Sequence, residues 1–338
     1  MKISKNISLK TYHTFGIDVK ASILAEYNTT EELMEVLNSE EYKSNKSFHI
    51  GSGSNLLFTE DYNGMILHSK IQYIRTISEN NEYVLLEAGS GVVWDDFVAY
   101  CVDNDYYGAE NLSLIPGEVG ASAVQNIGAY GTEVKDLIQE VKAIEIATGK
   151  SYTFSNEECG YGYRDSIFKK SLKGKYIVTS VVFRLSRIPV FHLGYQHLED
   201  EVKKRGDINL RNIRETIIEV RNSKLPDPAV RGNAGSFFMN PVVPKALFQS
   251  LQVKYPEMPH YFVSETEEKI PAGWLIEKCG WKGKSVGEAA VHDKQALVLV
   301  NNGNATGNDI VHLATEIQKS VYDTFSIRLQ PEVIYIPS

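Results

Sequence analysis

The sequence predicts an α+β fold of two domains, and three observations carry that reading. The chain has 338 residues, which at roughly 150 residues per domain amounts to about two. Runs of β-branched residues crowd the first half and helical spacing marks the second, mixed without the regular strand–helix alternation of a parallel sheet. Hydrophobic residues make up 43% and charged residues 23%, an ordinary globular balance that argues against long disordered tracts. A chain this long buries roughly three quarters of the surface its unfolded form exposes, so its core needs neither disulfides nor a metal.

In chain order, residues 47–50 read as a short strand running into Gly51, Ser52, Gly53, Ser54 and Asn55. Residues 83–88 read as an apolar strand. Residues 92–104 have helical spacing, with Val93, Phe97, Tyr100 and Cys101 on one stripe. Residues 141–147 and 151–154 flank Thr148, Gly149 and Lys150, a hairpin signal. A further β-branched run covers 176–185, and a domain boundary is expected near Pro189, where a polar, charged stretch begins. Residues 210–222 and 244–255 are expected helices. The clearest helix is 309–325, because Ile310, Leu313, Ala314, Ile317 and Val321 form one apolar face. Residues 296–300 and 328–336 are expected strands.

Charge and cysteine usage narrow the function classes. The net charge is −8, from 35 Lys and Arg against 43 Asp and Glu. General nucleic-acid coating needs clustered positive charge, so no nucleic-acid partner is expected, although a local basic pocket for a phosphorylated small molecule is compatible with this balance. Cys101, Cys159 and Cys279 are scattered, with no CxxC, which reads as reduced thiols in a cytoplasmic protein. Residues 1–15 lack an apolar core of the signal-peptide kind. The apolar run 296–300 is far too short to span a bilayer, so no membrane partner is expected.

Several motifs carry possible chemistry. Gly51-Ser52-Gly53 after a strand can bring backbone N–H groups to a phosphate, or it can be an ordinary tight turn. It is not the dinucleotide fingerprint, whose third glycine would fall on Leu56. Residues 115–131 hold Gly117, Gly120, Gly128 and Gly131 among small neighbours. Either the backbone approaches a ligand closely there, or the segment is a long loop of several turns. Arg164, in Gly162-Tyr163-Arg164-Asp165-Ser166, reads alone as a surface charge. Ser236 follows Gly235 and precedes Phe237 and Phe238, but the Gly-x-Ser-x-Gly elbow is absent. Glu332 alternates with apolar residues and reads alone as a solvent-facing strand residue. His292 has no His or Cys at ligand spacing and reads as a structural histidine. No Gly-Lys pair has a glycine five residues earlier, so there is no Walker loop.

Taken together, Thr14-Phe15-Gly16-Ile17-Asp18, the loop 51–55, and the stretches 115–131, 162–168, 224–241, 289–299 and 329–332 resemble the UDP-N-acetylenolpyruvoylglucosamine reductases, in that family's order and across nearly the whole chain. The match is densest at 125–131 and 232–241. The resemblance implies a two-lobed FAD-binding domain of the vanillyl-alcohol-oxidase-like (PCMH) type over 1–188, with lobes at about 1–60 and 61–188. An α+β substrate-binding domain would follow over 189–338, its C-terminal strand returning Glu332 to the active site. It implies FAD contacts at Gly51, Ser52, Gly53, Ser54, Asn55, Gly117, Gly120, Ala121, Ser122, Asn126, Gly128 and Ala129. Relatives often carry Ser and Pro where this chain has Ala121-Ser122-Ala123. The family's catalytic trio falls on Arg164, Ser236 and Glu332, and its substrate contacts on Tyr163, Lys224, Asn240 and Gln295. The segment 190–195 stands where the longer of two family subtypes carries a tyrosine that folds over the substrate diphosphate, which makes Tyr195 the candidate lid residue.

The activity the resemblance implies is reduction of an enolpyruvyl UDP-sugar by NADPH through FAD, in peptidoglycan precursor synthesis. Hydride addition to the terminal enolpyruvyl carbon would leave an enolate dianion on the carboxylate side. Arg164 would clamp that charge, Glu332 would bind the carboxylate end, and Ser236 would protonate the carbon. The expected partners are NADPH and the UDP-sugar, with the chain acting as a monomer. Two other readings are a flavin oxidase of the same fold with a different substrate, and a flavin- or nucleotide-sugar-binding protein without catalysis.

Overall fold

Strand Lys20–Tyr27 alternates exposed and buried residues and then becomes wholly buried, as a strand does when one face, and then both, are covered. It lies in a four-stranded sheet ordered Lys2–Ser8, Lys20–Tyr27, Tyr62–Ser69, Ser47–Ile50, the last pair parallel. Helix Thr30–Asn38 covers it, with Leu33, Val36 and Leu37 packed on Ile23, Ala25, Met65 and Leu67. The Thr29 hydroxyl starts this helix by accepting from the Glu32 N–H at 3.2 Å. The computed structural model describes residues 1–195 and 197–337, and the chain folds as two compact units. One comprises 1–7, 21–52 and 63–223, the other 8–20, 53–62 and 224–338.

The first unit also holds a five-stranded sheet ordered Ser151–Ser155, Ile138–Glu145, Tyr176–Ser186, Tyr83–Gly89, Ile74–Glu79, antiparallel throughout. The hairpin expected around Thr148-Gly149-Lys150 is its edge, pairing Val141 with Phe154. Helices Trp94–Asp103 and Val119–Gln125 bury one face of this sheet through Trp94, Phe97, Val98, Val119 and Ala123 against Leu86, Val181 and Phe183. Phe97 and Phe183 meet with ring centroids 4.4 Å apart. The stripe of the first helix therefore runs Trp94, Phe97, Val98, Cys101. Val93, expected on it, is the exposed residue before the helix, since a stripe begun one residue later keeps the indole inside. Helices Leu198–Arg205 and Leu210–Lys224 pack together through Leu198, Val202, Ile213 and Ile217.

In the second unit, strands Asn233–Ser236, Val298–Asn301, Ala289–Val291 and Ser285–Val286 form a sheet in that order. Helix Gly307–Phe325 packs on its two central strands. It buries Ile310, Leu313, Ala314, Ile317 and Val321 as expected, and a Thr306/Asp309 capping box starts it. Strand Ile334–Ile336 pairs in parallel with Leu56–Phe58.

Two further expectations differ from these elements. The strand expected over 328–336 is confined to Ile334–Ile336, because Met239 N–H donates to the Gln330 carbonyl and Glu332 N–H to the Phe237 carbonyl, as single bonds rather than a continuous ladder. Residues 119–125, within the stretch that reads either as backbone close to a ligand or as a loop of several turns, form a helix. The two units divide at 223/224, and 8–20 and 53–62 fold with the second; helix Leu210–Lys224 completes a hydrophobic cluster of the first unit. Among the described residues no helix is long and apolar enough to cross a membrane.

Candidate active site

Arg164 stands in a tight turn. Gly162 and Asp165 exchange two backbone hydrogen bonds, at 3.0 and 3.1 Å, and Arg164 is left-handed with φ +54°. A non-glycine residue held there costs about 1–3 kcal/mol, a strain that clusters at functional positions. The turn sends the guanidinium to the glycine-rich loop, where Nη2 donates to the Gly128 carbonyl at 3.0 Å. Lys169 Nζ donates to the Arg164 carbonyl at 2.7 Å. Asn126, fully buried and left-handed at the end of helix Val119–Gln125, locks the same two segments together. Its amide donates to the Gly162 carbonyl at 2.7 Å and accepts from Lys135 N–H at 3.1 Å.

The expected cofactor residues fall into distinct environments. Gly120 starts its helix against Ser90: its N–H donates to the Ser90 carbonyl at 3.0 Å, and a Cβ there would lie 2.7 Å from the Ser90 Cβ. Ser122 is buried and donates to the Val119 carbonyl at 2.7 Å. Gly51 lies on this helix, an added Cβ meeting Ala121 Cβ at 3.4 Å. Ser52 beside it has a buried hydroxyl with no partner among the described residues, the arrangement left when a ligand supplies the missing partner. These features fit FAD: glycine and small residues packed together, beside a buried hydroxyl whose hydrogen-bonding capacity is unused. Gly53 has a different reason to be glycine. At φ +64°, a Cβ would come within 2.3 Å of the Tyr12 carbonyl oxygen, so the chain itself occupies that space. Gly53, Ser54 and Asn55 belong to the second unit.

Tyr195 lies on the first unit's loop, its ring edge-on to Tyr130 at 5.7 Å. Asn111 anchors this neighbourhood by donating to the carbonyls of Tyr130 at 2.9 Å and His192 at 2.7 Å. Tyr163 is about half exposed beside Arg164. Sequence reasoning passed over Arg221. This partly buried guanidinium donates through Nε to the Leu114 carbonyl at 3.2 Å. Burial pushes its pKa down, Tyr130 and Asp95 oppose that, and Arg164 adds to it. A lone arginine on an amphipathic helix carries no signal in sequence; its neighbours Tyr130 and Arg164 give it one.

In the second unit, Ser236 ends strand Asn233–Ser236 and pairs with Val298. Asn233 Oδ1 accepts from the Gly235 N–H at 2.9 Å and fixes the bend before it. Phe237 and Phe238 are buried immediately after it. Glu332 comes alongside because its N–H donates to the Phe237 carbonyl at 2.8 Å, while its carbonyl accepts from Asn55 Nδ2 at 3.1 Å. Gln295 Oε1 accepts from Leu297 N–H at 3.3 Å, and Leu297 in turn bonds Phe237 N–H. Asn240 Oδ1 accepts from Ala272 N–H at 2.9 Å, at the start of helix Ala272–Lys278. Lys224 is exposed at a helix end. Ser236, Asn240, Gln295, Glu332 and Asn55 are thus tied to one backbone framework. His292 is buried beside Asp293, its pKa lowered mainly by burial.

Two family matches cover separate parts of the chain. Residues 21–155 match the FAD binding domain family. Residues 227–336 match the C-terminal domain of UDP-N-acetylenolpyruvoylglucosamine reductase. The chain is 52% identical over 334 residues to the UDP-N-acetylenolpyruvoylglucosamine reductase of Bacteroides fragilis (strain YCH46), across 99% of this chain and 100% of that one. It is 46% identical over 336 residues to the enzyme of the same name from Flavobacterium johnsoniae, across 98% and 99% of the two. The crystal structure of UDP-N-acetylenolpyruvylglucosamine reductase from Thermus caldophilus shares the fold, with TM-score 0.70, 22% identity and 100% of both chains covered.

Proposed function

The chain belongs to the UDP-N-acetylenolpyruvoylglucosamine reductase family, and from that premise we propose how its own residues divide the reaction. It is an FAD-dependent oxidoreductase that reduces the enolpyruvyl group of UDP-N-acetylenolpyruvoylglucosamine, a step of peptidoglycan precursor synthesis. Family membership sets aside the oxidase and the non-catalytic binder.

FAD, when bound, supplies a hydride to the terminal enolpyruvyl carbon, and NADPH is the proposed reductant. Gly51, Ser52, Gly117, Gly120, Ala121, Gly128 and Ala129 are proposed to hold the cofactor through backbone and small side chains. Asn126 and Ser122 act indirectly, because their side chains are bonded within the chain.

Reduction of the double bond makes the terminal carbon a methyl group and leaves a carbanion on the carbon bearing the carboxylate, delocalised as an enolate. Arg164 is proposed to bind that carboxylate through its planar fork. Its strained turn holds the fork in place before substrate arrives, so little reorganisation is needed as charge develops. Glu332 is proposed to bind the carboxylate end, and Ser236 to give its proton to the carbanion, forming the new C–H bond. Tyr163, Tyr195, Lys224, Asn240 and Gln295 are proposed to bind the UDP-sugar.

The observation that carries this reading is the Glu332 N–H to Phe237 carbonyl bond. It joins the Glu332 backbone to the residue that follows Ser236, within the region matched by the family's C-terminal domain, which supports assigning the two residues to one site. The test is stopped-flow absorbance of the flavin. Protein reduced anaerobically by NADPH should reoxidise when the enolpyruvyl nucleotide is added; failure of that phase overturns the assignment. Ser236→Ala should leave NADPH reduction near the wild-type rate and slow reoxidation by roughly 10²–10⁴. Equal slowing of both phases, or none, overturns the proton-donor role.

A further inference from the structure

Behind the cofactor loops lies a buried array of titratable groups that the reaction does not use. His68 is 4% exposed, on strand Tyr62–Ser69. Its Nε2 is 3.0 Å from Glu118 Oε1, and its Nδ1 is 3.6 Å from Glu26 Oε1. Glu26 is 9% exposed and Glu118 6%. Lys70 and Lys2 close the outer end, 3.8 and 3.7 Å from Glu26. The inner end meets the cofactor segments, because Glu118 immediately precedes helix Val119–Gln125 and its Oε2 lies 3.1 Å from where a Gly51 Cβ would be. Alongside, the Tyr27 hydroxyl and His49 Nε2 are 2.6 Å apart. Burial, then the nearby His68, pushes the pKa of His49 down to about 4.

A carboxylate this buried is costly unless it is paired and hydrogen-bonded. His68 holds Glu118 Oε1, and that contact sets where Oε2 sits against Gly51. Removing His68 strips Oε1 of this partner, so Glu118 shifts, and the Gly51 backbone against which its other oxygen lies shifts with it.

We propose that His68 and Glu118 are positioning residues for FAD: the Glu26–His68–Glu118 brace fixes the spacing between loop 51–52 and helix Val119–Gln125. The proposal rests on those two segments holding the cofactor. His68 acts through Glu118 and touches neither cofactor nor substrate.

The test is FAD titration of the apo full-length chain, followed by quenching of flavin fluorescence, with circular dichroism melts as a check on folding. His68→Leu should raise the Kd for FAD about tenfold or more, the worth of a hydrogen bond to a charged group. His68→Gln carries an N–H donor of similar reach and should stay within about threefold of wild type. In a Glu118→Ala background, His68→Leu should add little, because its partner is gone. Two outcomes overturn the proposal: His68→Gln as damaged as His68→Leu, which makes the imidazole a packing group, or additive effects of His68→Leu and Glu118→Ala. Ser52→Ala separates this from the underlying assignment. If it weakens FAD binding while His68→Leu does not, the brace alone is wrong; if neither weakens it, the loop assignment fails as well.

Discussion

Two side chains with no sequence motif around them show how much a residue's role depends on what it touches. Glu87 is buried at 2% exposure in the middle of a strand. Burial alone would raise its pKa, yet hydrogen bonds from Arg75, Ser180, Tyr73 and Lys142 outweigh it and hold the carboxyl near 2, below its ordinary 4.5. Its folded pKa is depressed, so the stability it contributes is complete above about 4.5 and is lost as pH falls toward 2. Glu87→Gln should therefore lower the melting temperature at pH 7 and flatten the loss of stability between those pH values. Melts recorded from pH 7 to pH 2 check this, and a mutant curve parallel to wild type would contradict it. Tyr195 is a proposed lid residue on the strength of its place in the family's order alone. The structure sets its ring on Tyr130, a packing role that phenylalanine preserves. Tyr195→Phe should then raise the KM for the UDP-sugar by about tenfold or more through loss of a hydrogen bond to a charged group, and leave NADPH reduction of the flavin unchanged. Half-reaction kinetics check this; an unchanged KM removes the lid role.

Short elements obey local rules that the sequence displays unevenly. Helix Gly307–Phe325 was readable because an apolar face nineteen residues long repeats at helical spacing. Helix Thr30–Asn38 carried an equally plain signal, Thr29 with Glu32 three positions on, which the periodicity reading passed over. Helix Val119–Gln125 could not be read that way. Two of its seven residues are apolar enough to mark a face, and Gly120 argues against a helix. It forms because Glu118, Val119 and Gly120 are pinned to neighbouring backbone, with Val119 N–H bonded to the Val92 carbonyl and Gly120 N–H to that of Ser90. Gly120→Ala would improve helix propensity by about 1 kcal/mol but places a methyl 2.7 Å from the Ser90 Cβ, and the clash dominates. The expected outcome is reduced FAD content with a lower melting temperature, read from the flavin-to-protein absorbance ratio and a thermal scan. Full FAD retention would show that the helix can shift without cost to the cofactor.

For the molecule as a whole, a cofactor bound only by the native chain must stabilise it. FAD at 100 times its Kd should add about 2.7 kcal/mol to the apo protein, seen as a rise in the urea midpoint that grows with FAD concentration. A midpoint independent of FAD would place the cofactor outside the cooperatively folded structure. The sequence by itself determined the α+β class, the strands and helices with clear periodicity, and the family, because the glycine and polar motifs stand in the family's order along the chain. Only the tertiary structure decided which motifs meet. Asn55 bonds the Glu332 carbonyl across 277 residues, through parallel pairing of the three-residue strands Leu56–Phe58 and Ile334–Ile336. Strands that short have no periodicity to read, and parallel partners need a long connection, so nothing local marks them as a pair. The same holds for His68, Glu26 and Glu118. Each reads alone as an ordinary surface charge, and only burial beside one another makes them a brace, because the cost of removing charge from water fixes where each must sit.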